Sequence, residues 1–156
     1  MINRILVFLL VLAPGVVAAA TTCSFSSTPA MSFGAYDDSS ASPTDATTSI
    51  VVSCARNGGP TPTNATLQIG TSVGSGLIAT RSMRSGANVM NYNLYRDSGR
   101  TQVWGQTLGV DTSFTSITVP NNGSASGTLV IYGRIPALQN VPTGAYSDSV
   151  QITISP

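Results

Sequence analysis

The sequence predicts an all-β sandwich, and three observations support that prediction. In residues 144–156, apolar Val150, Ile152 and Ile154 alternate with polar neighbours, which is the period-two pattern of a half-buried strand. Similar short alternating runs occur along the chain between turn signals rich in Gly, Asn and Pro. No run shows helical periodicity of useful length. Several short strands separated by turns are typical of two packed sheets.

Residues 1–20 are predicted to be a secretory signal peptide. Arg4 supplies a positive start, an apolar run covers residues 5–13, and Ala18-Ala19-Ala20 forms a small-residue cleavage site. The apolar run is too short for a comfortable membrane span. We therefore expect an exported, soluble product that consists of one domain, residues 21–156.

The charge composition excludes several classes of function. Without Arg4 the chain has six Arg and six Asp, and it has no Lys, Glu or His. A neutral chain without Lys argues against nucleic-acid binding and against a polybasic membrane contact. The absence of His and Glu removes the usual general bases and most metal ligands, so no enzyme mechanism is supported. We predict no catalytic residue, no metal site and no cofactor.

Three aspartates in the first third of the chain are the remaining candidates for a metal site. Asp37, Asp38 and Asp45 could in principle supply oxygen ligands for calcium. Their spacing matches no calcium-binding loop, and the segment around them is rich in Ser, Pro and Thr. A solvated loop over residues 37–45 is therefore the preferred interpretation.

Two cysteines, Cys23 and Cys54, remain in an exported chain. That setting predicts a disulfide between them. Closing a loop of about 30 residues would stabilise the fold by roughly 3 to 4 kcal/mol in the chain-entropy model. A zinc site is not expected, because the chain has no His and no second cysteine pair.

The alternating runs define the predicted strands in chain order. They cover residues 23–33, 49–54, 65–69, 90–94, 103–105, 114–119, 127–135 and 149–155. The first is predicted to be bent or interrupted at Pro29. A Gly- and Ser-rich passage without a predicted strand covers residues 70–86. Residues 97–100 are predicted to form the turn of a hairpin that pairs residues 90–94 with residues 103–105.

Four aromatic residues offer an alternative function. Trp104, Tyr92, Tyr95 and Tyr132 could form a platform on which sugars stack, because aromatic rings combine apolar area with a polar tip. They lie inside alternating strands rather than in loops, which favours packing in the core or on a sheet surface.

Six short motifs follow one another over Cys23 to Pro156. They are Ser32-Phe33-Gly34-Ala35-Tyr36-Asp37, Val51-Val52-Ser53-Cys54, Arg81-Ser82-Met83, Asn91-Tyr92-Asn93-Leu94-Tyr95-Arg96-Asp97 with Val103-Trp104-Gly105, Tyr132-Gly133-Arg134-Ile135-Pro136 with Gln139, and Gly144-Ala145-Tyr146-Ser147-Asp148. In this order they resemble the spore coat protein U domain family, which includes subunits of archaic, Csu-type chaperone–usher pili.

The resemblance implies an immunoglobulin-like sandwich that lacks its last strand. In such pili a periplasmic chaperone lends a strand to the open groove, and at the outer-membrane usher the N-terminal segment of a sister subunit replaces it. The implied function is that of a structural subunit of a cell-surface fibre, exported through the periplasm, for adhesion and biofilm formation. The groove of the family lies between the first and last strands. This nominates Met31 and Phe33 on one side, opposite Val150, Ile152 and Ile154.

The two ends of the chain carry further expectations. Because the chain stops at Pro156, we expect no later segment to pair with the free edge of the last strand. Cleavage after Ala20 would leave only Thr21-Thr22 ahead of Cys23, whereas subunits that donate a strand carry a dozen or more residues there. We therefore expect a subunit that accepts a strand without donating one, at the tip or terminus of a fibre.

Two other functions stay open at this point. One is a secreted, spore-coat-like structural protein, which predicts a stable monomer that needs no partner strand. The other is a small carbohydrate-binding module built around Trp104.

Overall fold

The computed structural model describes residues 21–27, 30–58 and 65–155, which form an all-β sandwich of the immunoglobulin-like kind. The strands are β1 (Thr21–Ser27), β2 (Thr44–Arg56), β3 (Ala65–Ser72), β4 (Arg81–Ser85), β5 (Asn88–Tyr95), β6 (Ser113–Thr115), β7 (Gly123–Ile135) and β8 (Val150–Ser155). The predicted signal peptide, residues 1–20, lies outside the described residues. The described part of the chain contains no helix that is long and apolar enough to cross a membrane.

Two antiparallel sheets make up the sandwich. The larger sheet has five strands in the order β1-β2-β7-β5-β4, and the smaller one has three in the order β6-β3-β8. The long strands β2 and β7 pair without a register break, from Thr44 opposite Ile135 to Arg56 opposite Gly123. This unbroken pair forms the centre of the larger sheet.

Period-two alternation places one apolar face of each sheet in the interior. In β2, Ile50, Val52 and Cys54 are at most 1% exposed, while their neighbours Val51 and Ser53 are only half-buried. The core cluster contains Ile50, Val52, Cys54, Ile69, Met83, Met90, Tyr92, Leu94, Trp104, Ile117, Val119, Leu129, Ile131 and Ile135. All predicted strands contribute to it except the first and the last, whose apolar residues are only half-buried.

The disulfide predicted between Cys23 and Cys54 is present. It joins β1 to β2 at directly opposed residues. The predicted interruption of the first strand is also present, because β1 ends at Ser27 and residues 30–36 belong to no strand. The disulfide therefore fixes the register of β1 on the larger sheet just before the chain leaves that sheet.

Most predicted strands agree with the structure, and β2 and β7 extend furthest beyond their predicted bounds. β2 begins at Thr44, inside the segment predicted as a loop, and β7 begins at Gly123 instead of Gly127. Both extra stretches belong to the continuous β2–β7 pair. The predicted hairpin forms as a short bridge, in which Tyr95 pairs with Val103.

The prediction for residues 114–119 is wrong in its second half. Only Ser113–Thr115 form a strand, β6, whereas Ile117 and Val119 leave the sheet and bury their side chains to 3% and 1% exposure. This segment passes close over β7, where a Cβ on Gly127 would lie 2.7 Å from Thr115 Oγ1. The alternating pattern correctly indicated that Ile117 and Val119 are buried, but neither residue belongs to a strand.

β4 was not predicted, and its side chains close one side of the sandwich. Arg81 is fully buried and reaches across to the smaller sheet. Its guanidinium donates hydrogen bonds to the carbonyls of Ile69 (3.1 Å), Gly70 (2.9 Å) and Trp104 (2.7 Å), and to Asn93 Oδ1 (2.7 Å). Beside it, Ser72 Oγ on β3 donates to the Ser82 carbonyl on β4 (3.0 Å). We call this β3–β4 edge, with its Arg81 and Ser72 contacts, the closed side.

Candidate functional site

An open groove of about 530 Å³ lies over the inner face of the larger sheet. Its two walls are residues 30–33, which follow β1, and residues 146–152, which lead into β8. Its floor consists of Thr48, Ile50, Met83, Tyr92, Leu94 and Ile131. We call this region, its two walls and its floor the open side of the sandwich.

The first wall carries two of the predicted groove residues, Met31 and Phe33. Both pack on Gly133 of β7, which faces inward between Ala46 and Leu94. A Cβ at Gly133 would lie 2.7 Å from Phe33 Cζ and would also collide with Met31 Sδ. The absence of a side chain at position 133 therefore lets this wall lie directly on the backbone of the larger sheet.

The second wall consists of residues 146–149, where Ser147 pairs with Arg84 of β4, and of the start of β8, which pairs with β3 on one side. On its other side β8 pairs with no strand of the described chain, although β1 lies nearby. Val150 and Ile152 line the groove, and with Ile154 they point inward yet stay half-buried. An edge with unpaired backbone groups and incompletely covered apolar side chains can accept a further strand.

The structure brings together four of the five groove residues predicted from the sequence. Met31, Phe33, Val150 and Ile152 all line the groove. Ile154 packs against the core cluster farther along β8, outside the groove lining. Their role in binding a strand stays a prediction.

Tyr92 on the floor contacts both walls. Its ring lies edge-on to Phe33, with centroids 5.9 Å apart and planes at 68°. Its hydroxyl donates a hydrogen bond of 2.7 Å to Asp148 Oδ2, and Asp148 Oδ1 accepts another from the Gly74 backbone amide (2.9 Å). Burial, together with the hydrogen bond to the Asp148 carboxylate, raises the pKa of Tyr92 well above its ordinary value. The neutral phenol therefore ties the two walls to the floor at neutral pH.

A second cavity of about 460 Å³ adjoins the groove, and we call it the side cavity. It shares Met31, Phe33, Met83 and Tyr146 with the groove lining. Its remaining apolar lining includes Met90, Ile135 and Val141. Residues 31–33 and Met83 therefore separate two spaces rather than filling one.

The comparison with protein families agrees with the motifs. A family model described as the Spore Coat Protein U domain matches residues 9–153. The chain belongs to the Spore Coat Protein U domain family. Within this family, the chain is 35% identical to Protein U of Myxococcus xanthus over 80 residues, which are 50% of this chain and 41% of Protein U. The matched part thus spans less than half the length of that relative.

A solved structure supports the fold of this Spore Coat Protein U domain. It is the CsuC–CsuE chaperone–tip adhesion subunit pre-assembly complex from the archaic chaperone–usher Csu pili of Acinetobacter baumannii. The similarity has a TM-score of 0.53 at 18% sequence identity, and it covers 86% of this chain and 39% of the other. At that identity the similarity establishes the fold alone.

Sequence reasoning about the Spore Coat Protein U motifs missed the groove floor. Leu94 and Ile131 lie on strands that were predicted, and their inward parity could have been read from the alternation, whereas Thr48 lies just ahead of the predicted strand 49–54. Which inward residues stay uncovered depends on where residues 30–33 and β8 cross the larger sheet. No local sequence pattern indicates where these segments cross the larger sheet.

The structure contradicts the sugar platform at Trp104. The Trp104 side chain has 0% exposure, and its backbone amide donates to the Leu94 carbonyl (2.9 Å). A ring without accessible surface cannot stack on a sugar. Tyr92 is also buried in the core, whereas Tyr95 and Tyr132 are half-buried on the outer face of the larger sheet.

Two of the three aspartates considered for calcium, Asp37 and Asp45, are engaged in other contacts. Asp37 Oδ1 accepts hydrogen bonds from the Ser39 amide (2.9 Å) and hydroxyl (2.7 Å). Asp45 lies on β2 and pairs with Arg134 through two bonds of 2.8 and 2.9 Å. The hydrogen bond from Arg134 lowers the pKa of Asp45. In the described residues, no three His, Cys, Asp or Glu side chains come together as a metal site.

Proposed function

We propose that this protein is a structural subunit of a chaperone–usher surface fibre, and that its groove receives a β-strand from a partner. The observation that carries the proposal is the open side, where the unpaired edge of β8 faces Met31 and Phe33 across an apolar floor. A strand added there would pair with the β8 backbone and insert alternate side chains between the sheets.

The energetics fit such a partner. An inserted strand of four or five inward apolar side chains, each contributing roughly 1.5 to 3 kcal/mol, would rival the whole stability of a typical domain. It would also complete the burial of Val150 and Ile152, which are now half-buried. The subunit without a strand is therefore expected to be marginally stable.

We infer three kinds of partner from the family and the fold. A periplasmic chaperone would supply the strand during export, and a sister subunit would supply it in the fibre, with the exchange at an outer-membrane usher. The similar solved structure supports this, because it contains a chaperone and a tip adhesion subunit before assembly. The fibre would lie at the cell surface and serve adhesion and biofilm formation. A position at the tip or terminus stays a prediction from the sequence.

The experiment that tests the proposal is a thermal melt of the purified protein with its disulfide intact. Synthetic peptides taken from the N-terminal segments of candidate sister subunits are added at about 100 times their Kd. Binding to the native state alone would stabilise it by about 2.7 kcal/mol, a rise in Tm of roughly 10 °C. A scrambled peptide of the same composition should leave Tm unchanged.

Two neighbouring variants on β8 make the test specific to the groove. Ile152→Ala removes an inward side chain of the groove wall, and Thr153→Ala changes the exposed residue beside it. We expect the peptide-induced rise in Tm to shrink in Ile152→Ala and to stay unchanged in Thr153→Ala. A high Tm that no peptide moves would contradict the proposal.

A second candidate is a secreted structural protein of the spore-coat kind that assembles without an usher. The 35% identity to Protein U over 80 residues supports it. It predicts a stable monomer that copurifies with no chaperone and gains nothing from added strands. The same thermal melt therefore separates the two functions.

A further inference from the structure

All three methionines of the described chain lie at one place. Met31, Met83 and Met90 line the side cavity, and Met31 and Met83 also line the groove. Met83 on β4 and Met90 on β5 are directly opposed in the sheet, and both are buried. Met31 sits on the wall above Gly133. Two thioether side chains, Met31 and Met83, therefore form part of the boundary between the two spaces.

The choice of methionine here differs from the closed part of the core. The aliphatic side chains with at most 1% exposure that line neither space, Val52, Ile69 and Val119, are all β-branched, and such side chains are stiff at χ1. β-Branched residues also suit strands best. Methionine is unbranched and has a flexible, polarizable side chain that fills gaps of irregular shape. Two of the four residues that line both spaces, Met31 and Met83, are thus of the most adaptable apolar residue type, and the other two are Phe33 and Tyr146.

Adaptable side chains can change position only where there is space for them. A close-packed core offers no such space, whereas the side cavity offers about 460 Å³ directly behind Met31 and Met83. Met31 lies on the bare backbone of Gly133, so no side chain at position 133 blocks its movement. A large side chain entering the groove can therefore displace these methionines into the side cavity.

We propose that Met31 and Met83 form a movable partition between the groove and the side cavity. The partition lets the groove accept strands whose inward side chains differ in size, so that this subunit can bind partners with different strand sequences. The proposal rests on the proposed function, because it concerns the strand that the groove receives.

The test measures how steeply the groove discriminates between side chains. The probes are synthetic peptides of a dozen residues that alternate Val and Thr and carry Val, Leu, Met or Phe at one central inward position. We expect their Kd values for the wild-type chain to fall within about tenfold of one another. In a rigid apolar pocket one methylene group alone is worth about 10- to 200-fold.

Two variants separate the partition from the core in general. In Met31→Ile/Met83→Ile the boundary becomes stiff, and we expect the Kd values to spread over about a hundredfold or more. The matched control is Leu129→Ile, a buried residue of β7 that lines neither cavity, and it should keep the wild-type spread. Equal spreads in the wild type and the double variant would overturn the proposal.

A measurement on the wild-type chain keeps the proposal falsifiable if the double variant does not fold. Methyl-¹³C methionine NMR should show Met31 and Met83 in different environments in the Val and Phe complexes. Identical methionine signals in both complexes would overturn the partition but leave the proposed function intact. If no peptide of any sequence binds the wild-type chain, the proposed function fails and the partition fails with it.

Discussion

The closed and open sides of the sandwich differ in how the apolar space between the two sheets is covered. At the closed side, Arg81 and Ser72 join the two sheets through hydrogen bonds to backbone carbonyls, and Trp104 is completely buried. At the open side, Val150 and Ile152 face Met31 across a groove and remain half-buried. The chain therefore seals one side with its own side chains and leaves the other side to a proposed partner.

This comparison shows that a strand edge can stay uncovered in a domain whose other parts are well packed. The disulfide holds β1 on the larger sheet, and Tyr92 holds both groove walls to the floor. The walls of the groove are therefore held in place, which would lower the entropy cost of binding the proposed strand. The close packing of the closed side gives the groove a rigid support.

The largest expected effect comes from the closed side. Trp104→Ala should lower the free energy of unfolding by about 3 to 5 kcal/mol, because a fully buried indole leaves a large cavity. The corresponding change at the open side, Ile152→Ala, should cost only about 1 to 2 kcal/mol, since Ile152 is half-buried. Urea denaturation of both variants measures the contrast. Equal losses would show that the two sides are packed alike.

The next largest effect tests the hydrogen bonds of Arg81. In Arg81→Lys one ammonium replaces a fork that serves three carbonyls and Asn93, so buried acceptors lose their partners. We expect a loss of about 2 to 4 kcal/mol in urea denaturation. Arg84→Lys is the control, because exposed Arg84 bonds the Gly74 carbonyl and should change stability by less than about 0.5 kcal/mol. A similar loss of unfolding free energy in both variants would mean that the buried hydrogen bonds of Arg81 contribute no more to stability than the exposed side-chain bond of Arg84.

Arg81 also shows why the sequence predicted most of the fold but missed β4. Alternation along β2, β7 and β8 is a local signal, and the fold class and most strands follow from it. β4 was missed because its first inward residue is Arg81, which breaks the apolar pattern. An inward arginine is tolerated only because the carbonyls of Ile69 and Trp104 come within reach. That proximity is created by the packing of distant segments.

The groove, too, could be predicted only in part from the sequence. Its walls could be nominated from the family resemblance, which places the first and last strands at the gap. The floor and the side cavity depend on how residues 30–33 cross the larger sheet, and this crossing relies on the bare backbone at Gly133. A single glycine within a strand gives no sign of which segment will lie on it.

A smaller effect is expected from Tyr92, which connects the open side to its frame. Tyr92→Phe keeps the ring beside Phe33 and removes the hydroxyl that bonds Asp148, at a cost of about 1.5 kcal/mol. The folded-state pKa of Tyr92 is raised, so its contribution is complete below the unfolded pKa near 10 and is lost as pH rises further. The stability difference between wild type and variant should therefore shrink in alkali.

Urea denaturation at pH 7 and in alkali, read with the phenolate absorbance, checks this prediction. Tyr95→Phe is the control, because Tyr95 lies on the outer face of the same strand and is only half-buried. A difference between wild type and Tyr92→Phe that stays constant from pH 7 into alkali would contradict the assignment.

The smallest effect lies on the outer face of the larger sheet, behind the open side. Asp45 pairs with Arg134 directly across β2 and β7, one residue from the inward Gly133 that supports Met31. Asp45→Asn should cost less than about 1 kcal/mol, because Asp45 and Arg134 are both about one-third exposed; Asp45 Oδ2 also lies 3.2 Å from Arg100 Nη1. The folded-state pKa of Asp45 is lowered, chiefly by the hydrogen bond from Arg134, so the pair is fully stabilising above the ordinary pKa of 3.8 and is lost as pH falls through the folded value. Urea denaturation should show the wild-type advantage at pH 7 and none near pH 2. An advantage that persists in acid would mean that Asp45 acts through packing, and the outer face would then help to hold the groove wall in place.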